Sequence, residues 1–271
     1  MKKFLLILSL ISSTLCVSGA RIDTVQVFSP SMQKNVDIVA VIPDKAVKGE
    51  SSPVIYLLHG HGNNHFCWIN IKPDLGKIAD REGVIFVTPD GKDSWYWNCP
   101  IKPEFKYETF ISDELVAYMD ANYPTIKDRK ARAITGLSMG GHGAMWNGIR
   151  HPEVFASVGS TSGGVDIRPF PESWNMKTKL GELKSNPEIW KNHTVTTLAD
   201  TLSNGLLALV IDCGYEDFFF EVNNQLHEKL LKRGVEHDYL VRPGGHDRKY
   251  WNNSIDYQIL FFVKQFRKAG Y

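Results

Sequence analysis

The sequence has 271 residues, of which 43% are hydrophobic and 23% charged, as expected for a globular protein with a large core. Its formal net charge is +1, so charge alone indicates neither nucleic acid nor an anionic membrane surface as a partner. The length suits a single domain, which we predict to cover residues 21–271.

Residues 1–20 have the pattern of a secretory signal peptide. A basic start at Lys2 and Lys3 precedes an apolar core over residues 4–17, and small residues lead to a cleavage site after Ala20. An uncleaved anchor is the alternative, but the apolar core is short for a membrane span. No later segment has the pattern of a membrane span, so we predict a secreted or periplasmic protein.

Export permits disulfide bonds. If Cys16 is removed with the signal, Cys67, Cys99 and Cys213 remain. Cys67–Cys99 is a candidate loop bridge because both residues follow strands at the same edge of the predicted sheet. Cys213 ends an apolar strand, which indicates a buried free thiol. No cysteine pair has the spacing of a zinc site, and no motif supports a cysteine nucleophile.

The predicted elements alternate between strands and helices. The chain begins with an antiparallel hairpin over residues 24–28 and 36–42. Apolar runs predict strands at 54–58, 84–87, 131–135, 155–160, 206–211 and 235–241. Helical spacing predicts helices at 75–81, 110–123, from 141, 218–233 and 251–266. This alternation predicts one mostly parallel sheet with helices on both faces. The irregular stretch 165–204 is predicted to be a small insertion, or lid, before the penultimate strand.

The pattern Gly-x-Ser-x-Gly occurs at residues 136–140, between a predicted strand and a predicted helix. This context is typical of the nucleophile elbow of α/β-hydrolases, where the serine lies on a sharp, strained turn. Side chains two residues to either side would collide with the neighbouring strand and helix, which explains Gly136 and Gly140. We therefore predict that Ser138 is a nucleophile.

A serine hydroxyl needs a base, and histidine suits this role because its pKa lies near neutral pH. His246 lies in a Gly-Gly turn after the last predicted strand, whereas His142 should point away along the elbow helix. The order Ser, acid, His is that of α/β-hydrolases. Position leaves three candidates for the acid that orients the histidine, namely Asp217, Asp212 and Glu216.

Acyl transfer also needs donors for the developing oxyanion. The backbone N–H of Met139, directly after the nucleophile, is one predicted donor. The loop after the first buried strand supplies the second. We predict the N–H of His61, with Gly62 as the alternative.

Taken together, these motifs resemble the esterase D-like group of α/β-hydrolases over most of the mature chain. That group includes S-formylglutathione hydrolases, feruloyl and acetylxylan esterases of carbohydrate esterase family 1, tributyrin esterases and mycolyltransferases. The resemblance is carried by Leu57-Leu58-His59-Gly60, Thr88-Pro89-Asp90-Gly91, Gly136-Leu137-Ser138-Met139-Gly140-Gly141, Asp212-Cys213-Gly214 with Asp217 and Phe219, and Gly245-His246-Asp247 with Tyr250-Trp251.

The resemblance implies an α/β-hydrolase fold with Ser138 as nucleophile, His246 as base and Asp217 as acid. It also implies oxyanion donors at the backbones of His61 and Met139, and no metal or cofactor.

The function expected from the resemblance and the signal peptide is that of a secreted serine carboxylic-ester hydrolase. Its substrate would be an acylated plant polysaccharide or oligosaccharide, from which it removes feruloyl or acetyl groups. A general short-chain acyl esterase, an acyltransferase and a non-catalytic carbohydrate-binding protein are the alternatives. Trp95, Trp97 and Trp174 are candidates for an aromatic substrate platform, although tryptophan is as often ordinary packing.

Overall fold

The computed structural model describes residues 19–271. The predicted signal peptide, with Cys16, lies outside the described residues except for Gly19 and Ala20 at its end. From residue 19 onward, no helix is both long and apolar enough to cross a membrane.

Eight strands form one sheet in the order β1-β2-β4-β3-β5-β6-β7-β8. The hairpin of β1 and β2 is antiparallel, and β2 runs antiparallel to β4, whereas every other neighbouring pair is parallel. This confirms the predicted mostly parallel sheet. The strands are β1 Arg21–Ser29, β2 Lys34–Ile42, β3 Val54–Leu58, β4 Ile85–Pro89, β5 Arg132–Gly136, β6 Ser157–Thr161, β7 Ala208–Gly214 and β8 Asp238–Arg242.

Eleven α-helices connect these strands in the described part of the chain. They are α1 Asp44–Val47, α2 Cys67–Ile71, α3 Leu75–Glu82, α4 Tyr107–Thr109, α5 Leu115–Asn122, α6 Met139–Arg150, α7 Lys177–Leu180, α8 Pro187–Asn192, α9 Val195–Leu198, α10 Phe220–Lys232 and α11 Arg248–Lys268. A π-helical turn at Phe110–Glu114 joins α4 to α5. The helix predicted over 110–123 is thus a π turn followed by α5.

Helices cover both faces of the sheet, as predicted. Side chains alternate along a strand, so Val54, Tyr56 and Leu58 of β3 join a core with residues of α5, α6 and α10. Ile55 and Leu57 point the other way and join a core with residues of α3 and α11. The two layers hold β3 at the centre of the molecule, next to the strand that leads to Ser138.

The insertion lies between β6 and β7 and contains α7, α8 and α9. Its buried side chains Leu180, Trp190 and Val195 belong to the same core as α6. Because these side chains fill the main core, the insertion is anchored on the body of the molecule.

The three cysteines within residues 19–271 are free thiols. Cys67, Cys99 and Cys213 are all buried, so the Cys67–Cys99 bridge is wrong and the free Cys213 thiol is confirmed. Cys67 lies in the core beneath α11, whereas the thiol of Cys99 donates to the carbonyl of Lys179 in α7 at 3.4 Å. Burial raises the pKa of Cys67 to about 11, which disfavours the thiolate that a cysteine nucleophile needs.

Candidate active site

Ser138 lies at the carboxyl end of the sheet, between β5 and α6, with φ +56° and ψ −118°. Positive φ is uncommon for a residue with a side chain and is retained where the surroundings impose it. Here the backbone N–H of Ser138 donates to Thr161 at 3.1 Å, and its carbonyl accepts from His142 and Gly164. The turn is therefore held from three sides.

Glycine is required two residues before and after Ser138. A Cβ added to Gly136 would lie 2.5 Å from backbone atoms of Gly140 and 2.6 Å from the carbonyl oxygen of Leu58. One added to Gly140 would lie 2.2 Å from the same oxygen. Helix α6 thus starts in direct contact with the end of β3, and this close approach lifts the serine clear of the sheet.

His246 and Asp217 come from the loops that follow β8 and β7. The Nε2 atom of His246 lies 2.9 Å from Oγ of Ser138, and its Nδ1 atom lies 2.8 Å from Oδ2 of Asp217. A carboxylate only accepts, so Nδ1 carries the proton and Nε2 is free to accept from the serine hydroxyl. This is the arrangement in which an imidazole can take a proton from serine.

The other two candidate acids lie elsewhere. Asp212 is part of β7 and accepts hydrogen bonds from Tyr250 and Ser254, each at 2.7 Å. Its other carboxylate oxygen pairs with Arg242. The side chain of Glu216 is exposed. Of the three acids, the structure brings Asp217 to His246.

The predicted oxyanion donors are the first residue of α6 and a residue of the loop after β3. Met139 is the first residue of α6, so its N–H has no acceptor within the helix. Neither this N–H nor that of His61 donates to another backbone group within residues 19–271. An added Cβ at Gly60 would lie 3.3 Å from Cβ of Ser138, whereas one at Gly62 would meet nothing within 4 Å. The loop therefore approaches the serine just before His61 and leaves it by Gly62.

Comparison with known proteins identifies the family. Residues 29–262 match the model of the Esterase family. The chain belongs to this family. The esterase is 27% identical over 250 residues to the acetyl esterase of Caldicellulosiruptor saccharolyticus, across 84% of this chain and 92% of that relative. It is 26% identical over 268 residues to the S-formylglutathione hydrolase of Mus musculus, across 89% and 92% of the two chains.

A solved structure gives the same result for the fold. A ferulic acid esterase superposes with a TM-score of 0.78 at 29% identity, covering 91% of this chain and 98% of that chain. The esterase therefore has the predicted α/β-hydrolase fold, and its enzyme class, ester hydrolase, is also confirmed.

The aromatic loop of the esterase differs from the prediction. Trp95 and Trp97 are only 1% and 0% exposed, so neither offers a face to a substrate. Trp97 donates from Nε1 to Nε2 of His142 at 2.9 Å, and the Trp95 ring lies 5.3 Å from that of His142. The sequence could not separate a platform from a core here, because a short aromatic run is compatible with both. Both tryptophans are core residues beneath α6.

Trp174 is partly exposed, and it lies beside Phe218, which was not among the predicted site residues. Phe218 is 51% exposed, and its ring lies 4.3 Å from the ring of His246. Trp174 stacks on Phe218 at 6.1 Å, and Phe170 lies 5.6 Å from Trp174. In the sequence, the only indication for Phe218 was its position next to Asp217. We call Phe170, Trp174 and Phe218 the aromatic patch.

One group of potential metal ligands occurs within residues 19–271 of the esterase. Atoms of Asp37, His65 and Asp90 lie within 4.8 Å of one another. Lys92 already pairs with Asp90 at 2.6 Å, and Gln26 donates to Asp37 at 2.8 Å. The positive charge beside the Asp90 carboxylate is therefore that of the Lys92 side chain.

Proposed function

We propose that the esterase cleaves carboxylic esters through an acyl-enzyme on Ser138, with His246 as general base and Asp217 as the acid that orients it. The continuous line of hydrogen bonds from Asp217 through His246 to Ser138, with lengths of 2.8 and 2.9 Å, carries this proposal. Oδ1 of Asp217 also accepts from the backbone N–H of Phe219 at 2.8 Å, which holds the carboxylate towards the imidazole.

The proposed reaction has two halves. Oγ of Ser138 attacks the carbonyl carbon while its proton passes to Nε2 of His246. The imidazolium then gives that proton to the leaving alcohol, and the acyl group stays on Ser138. In the second half, water gives a proton to Nε2 of His246 and attacks the acyl carbon. The bond from that carbon to Oγ of Ser138 then breaks, Oγ takes the proton back from His246, and the carboxylic acid leaves. In both halves the backbone N–H groups of His61 and Met139 would bind the negative oxygen.

The finer proposal concerns the substrate, which we take to be a feruloyl or acetyl ester of a plant polysaccharide. Among similar proteins, one is named a ferulic acid esterase and another an acetyl esterase. The aromatic patch beside His246 supports a planar aromatic acyl group, because an acetyl group is too small to cover these rings.

Export is part of the same proposal, since plant polysaccharides are extracellular. It is supported by the pattern of residues 1–20. Protein recovered from the periplasm or the medium should begin at Arg21, and a mature chain retaining residues 1–20 would contradict cleavage.

The test is a panel of methyl ferulate, acetylated xylan and tributyrin with wild-type enzyme and Ser138→Ala. We expect wild type to cleave the first two, and Ser138→Ala to lose at least about 10³-fold in kcat, since the nucleophile carries the reaction. Circular dichroism would verify that the variant is folded. Equal rates for both proteins would rule out Ser138 as nucleophile. Cleavage of tributyrin alone would rule out the polysaccharide substrate but not the esterase mechanism.

A further inference from the structure

Two consecutive aromatic residues, Trp95 and Tyr96, have left-handed backbones with φ of +58° and +61°. Bulky residues rarely adopt this conformation, and where they do the surrounding structure imposes it, often at functional sites. Tyr96 is fully buried, so it has no direct access to a substrate.

The ring of Tyr96 is held between two glycines. A Cβ added to Gly91 would lie 2.2 Å from Cε1 of the ring, and one added to Gly143 would lie 2.3 Å from its Cδ2. Gly143 belongs to α6, the helix that starts directly after Ser138. The position of the ring is therefore set relative to the helix that carries the nucleophile.

The hydroxyl of Tyr96 contacts the loop on the other side of the site. The backbone N–H of His59 donates to Oη at 3.0 Å, and the hydroxyl donates to the carbonyl of His59 at 3.2 Å. Burial holds the pKa of Tyr96 well above its usual value, so the hydroxyl stays a donor at neutral pH.

The side chain of His59 also holds the next residue of the loop, Gly60. Its Nε2 atom accepts from the N–H of Gly91 at 2.9 Å, so Nδ1 carries the proton and donates to the carbonyl of Gly60 at 2.8 Å. The backbone of His59 is thus fixed by Tyr96, and the carbonyl of Gly60 is bound by the His59 ring, which Gly91 holds in turn.

We propose that Tyr96 is a positioning residue. Its hydroxyl fixes the loop that carries His61, so that the backbone N–H of His61 is oriented to donate to the oxyanion that forms at Ser138. This inference rests on the proposed function, because it assigns the N–H of His61 to the oxyanion. Such donors act because they are already oriented when the negative charge develops, so a small displacement lowers the rate.

Tyr96→Phe removes one oxygen and keeps the ring. We expect kcat for p-nitrophenyl acetate to fall about tenfold or more with KM within about twofold, since the donor acts on the transition state. Affinity for a trifluoromethyl ketone, which adds to Ser138 and places an oxyanion in the site, should fall by a similar factor. A role confined to stability would lower neither value in the folded enzyme.

Tyr56→Phe is the matched control. Tyr56 lies in β3 and is fully buried, and its hydroxyl has no hydrogen-bond partner among residues 19–271. We expect its kcat and ketone affinity to equal those of wild type. Wild-type kcat and ketone affinity in Tyr96→Phe would overturn the positioning role while leaving the proposed function intact. Undiminished activity of Ser138→Ala would instead overturn the proposed function.

If Tyr96→Phe unfolds at the assay temperature, the same comparison is made at a lower temperature at which circular dichroism shows wild type, Tyr96→Phe and Tyr56→Phe to be folded. A lower kcat at constant KM in Tyr96→Phe supports the positioning role, and a kcat equal to that of Tyr56→Phe overturns it.

Discussion

Asp212 and Asp217 are five residues apart, yet they contact different parts of the molecule. Asp212 points into the core, where burial raises its pKa although Tyr250, Arg242 and Ser254 stabilise its charge. Asp217 follows the strand in a loop and bonds to His246. Replacing each carboxylate by a neutral amide should therefore affect different properties, kcat for Asp217 and stability for Asp212.

Asp217→Asn should lower kcat by about 10²–10⁴-fold with little change in melting temperature. An asparagine can hold the imidazole in the wrong tautomer and cannot stabilise an imidazolium. Steady-state kinetics on p-nitrophenyl acetate, together with thermal melting, would measure both effects.

Asp212→Asn is the comparison. It leaves Arg242 without its buried partner, so we expect a loss of about 3 kcal/mol in the free energy of unfolding. The kcat of the folded fraction should stay within about tenfold of wild type, because no contact to His246 is lost. A larger loss of kcat in Asp212→Asn than in Asp217→Asn would contradict the assignment of the acid.

At the scale of elements, the insertion and the loop after β7 meet over the site. Trp174 comes from the insertion and Phe218 from the loop, and their stacked rings form the part of the aromatic patch next to His246. Exposed aromatic rings beside a reactive centre are suited to bind an apolar group of the substrate. We therefore propose that this contact links the insertion to substrate choice.

Phe218→Ala should raise KM for methyl ferulate about tenfold, as loss of about 1.4 kcal/mol of aromatic contact implies. KM for p-nitrophenyl acetate, whose acyl group is small, should change by less than about twofold. Initial-rate measurements on both esters would give the two values.

Phe28→Ala is the matched control, because its ring is exposed to a similar extent, 54% against 51%, but lies on the edge strand β1. It should change neither KM. Equal increases for both esters in Phe218→Ala would mean that the ring supports His246 and does not select the acyl group.

The elements also show which parts of the fold a local sequence pattern can predict and which it cannot. All eight strands match predicted ones, with ends displaced by a few residues. Alternation predicted the hairpin, and apolar runs predicted the other six because such runs are needed in a sheet covered on both faces. The short helices of the insertion were not predicted, since they depend on Leu180 and Trp190 packing into the main core. Local pattern was therefore sufficient for the sheet but not for the insertion.

At the scale of the whole molecule, the packing beneath α6 includes a titratable group. His142 is fully buried between Trp97, which donates to Nε2, and the carbonyl of Gly164, which accepts from Nδ1 at 2.9 Å. Burial lowers the pKa of His142 from 6.5 to about 4. The folded protein therefore keeps this ring neutral at a pH where the unfolded chain would protonate it.

This difference makes stability depend on pH. Between pH 6.5 and about 4 the unfolded chain binds a proton at His142 that the folded chain does not, so the free energy of unfolding falls as the pH falls. The difference in pKa corresponds to about 3 kcal/mol across this window. His142→Gln should remove this contribution and give a flatter curve in urea unfolding at a series of pH values.

Above about pH 7.5 the ring is more than about nine-tenths neutral in both states, so the curves of wild type and His142→Gln should run nearly parallel there. Subtracting the two curves cancels the other titrating groups. Parallel curves throughout, from pH 7 down to pH 4, would contradict the role of His142.

The sequence by itself determined the fold class and the loops that carry the candidate site. These follow from local rules: apolar runs form buried strands, and Gly136 and Gly140 permit a turn that other residues would block. Position in the chain left three acids open and the family resemblance implied Asp217, which the tertiary structure brings to His246. Only the tertiary structure decided which aromatic rings are exposed and that Cys67 and Cys99 stay apart. Those outcomes depend on distances between residues far apart in the chain and on which side chains cover one another, and a linear pattern contains neither.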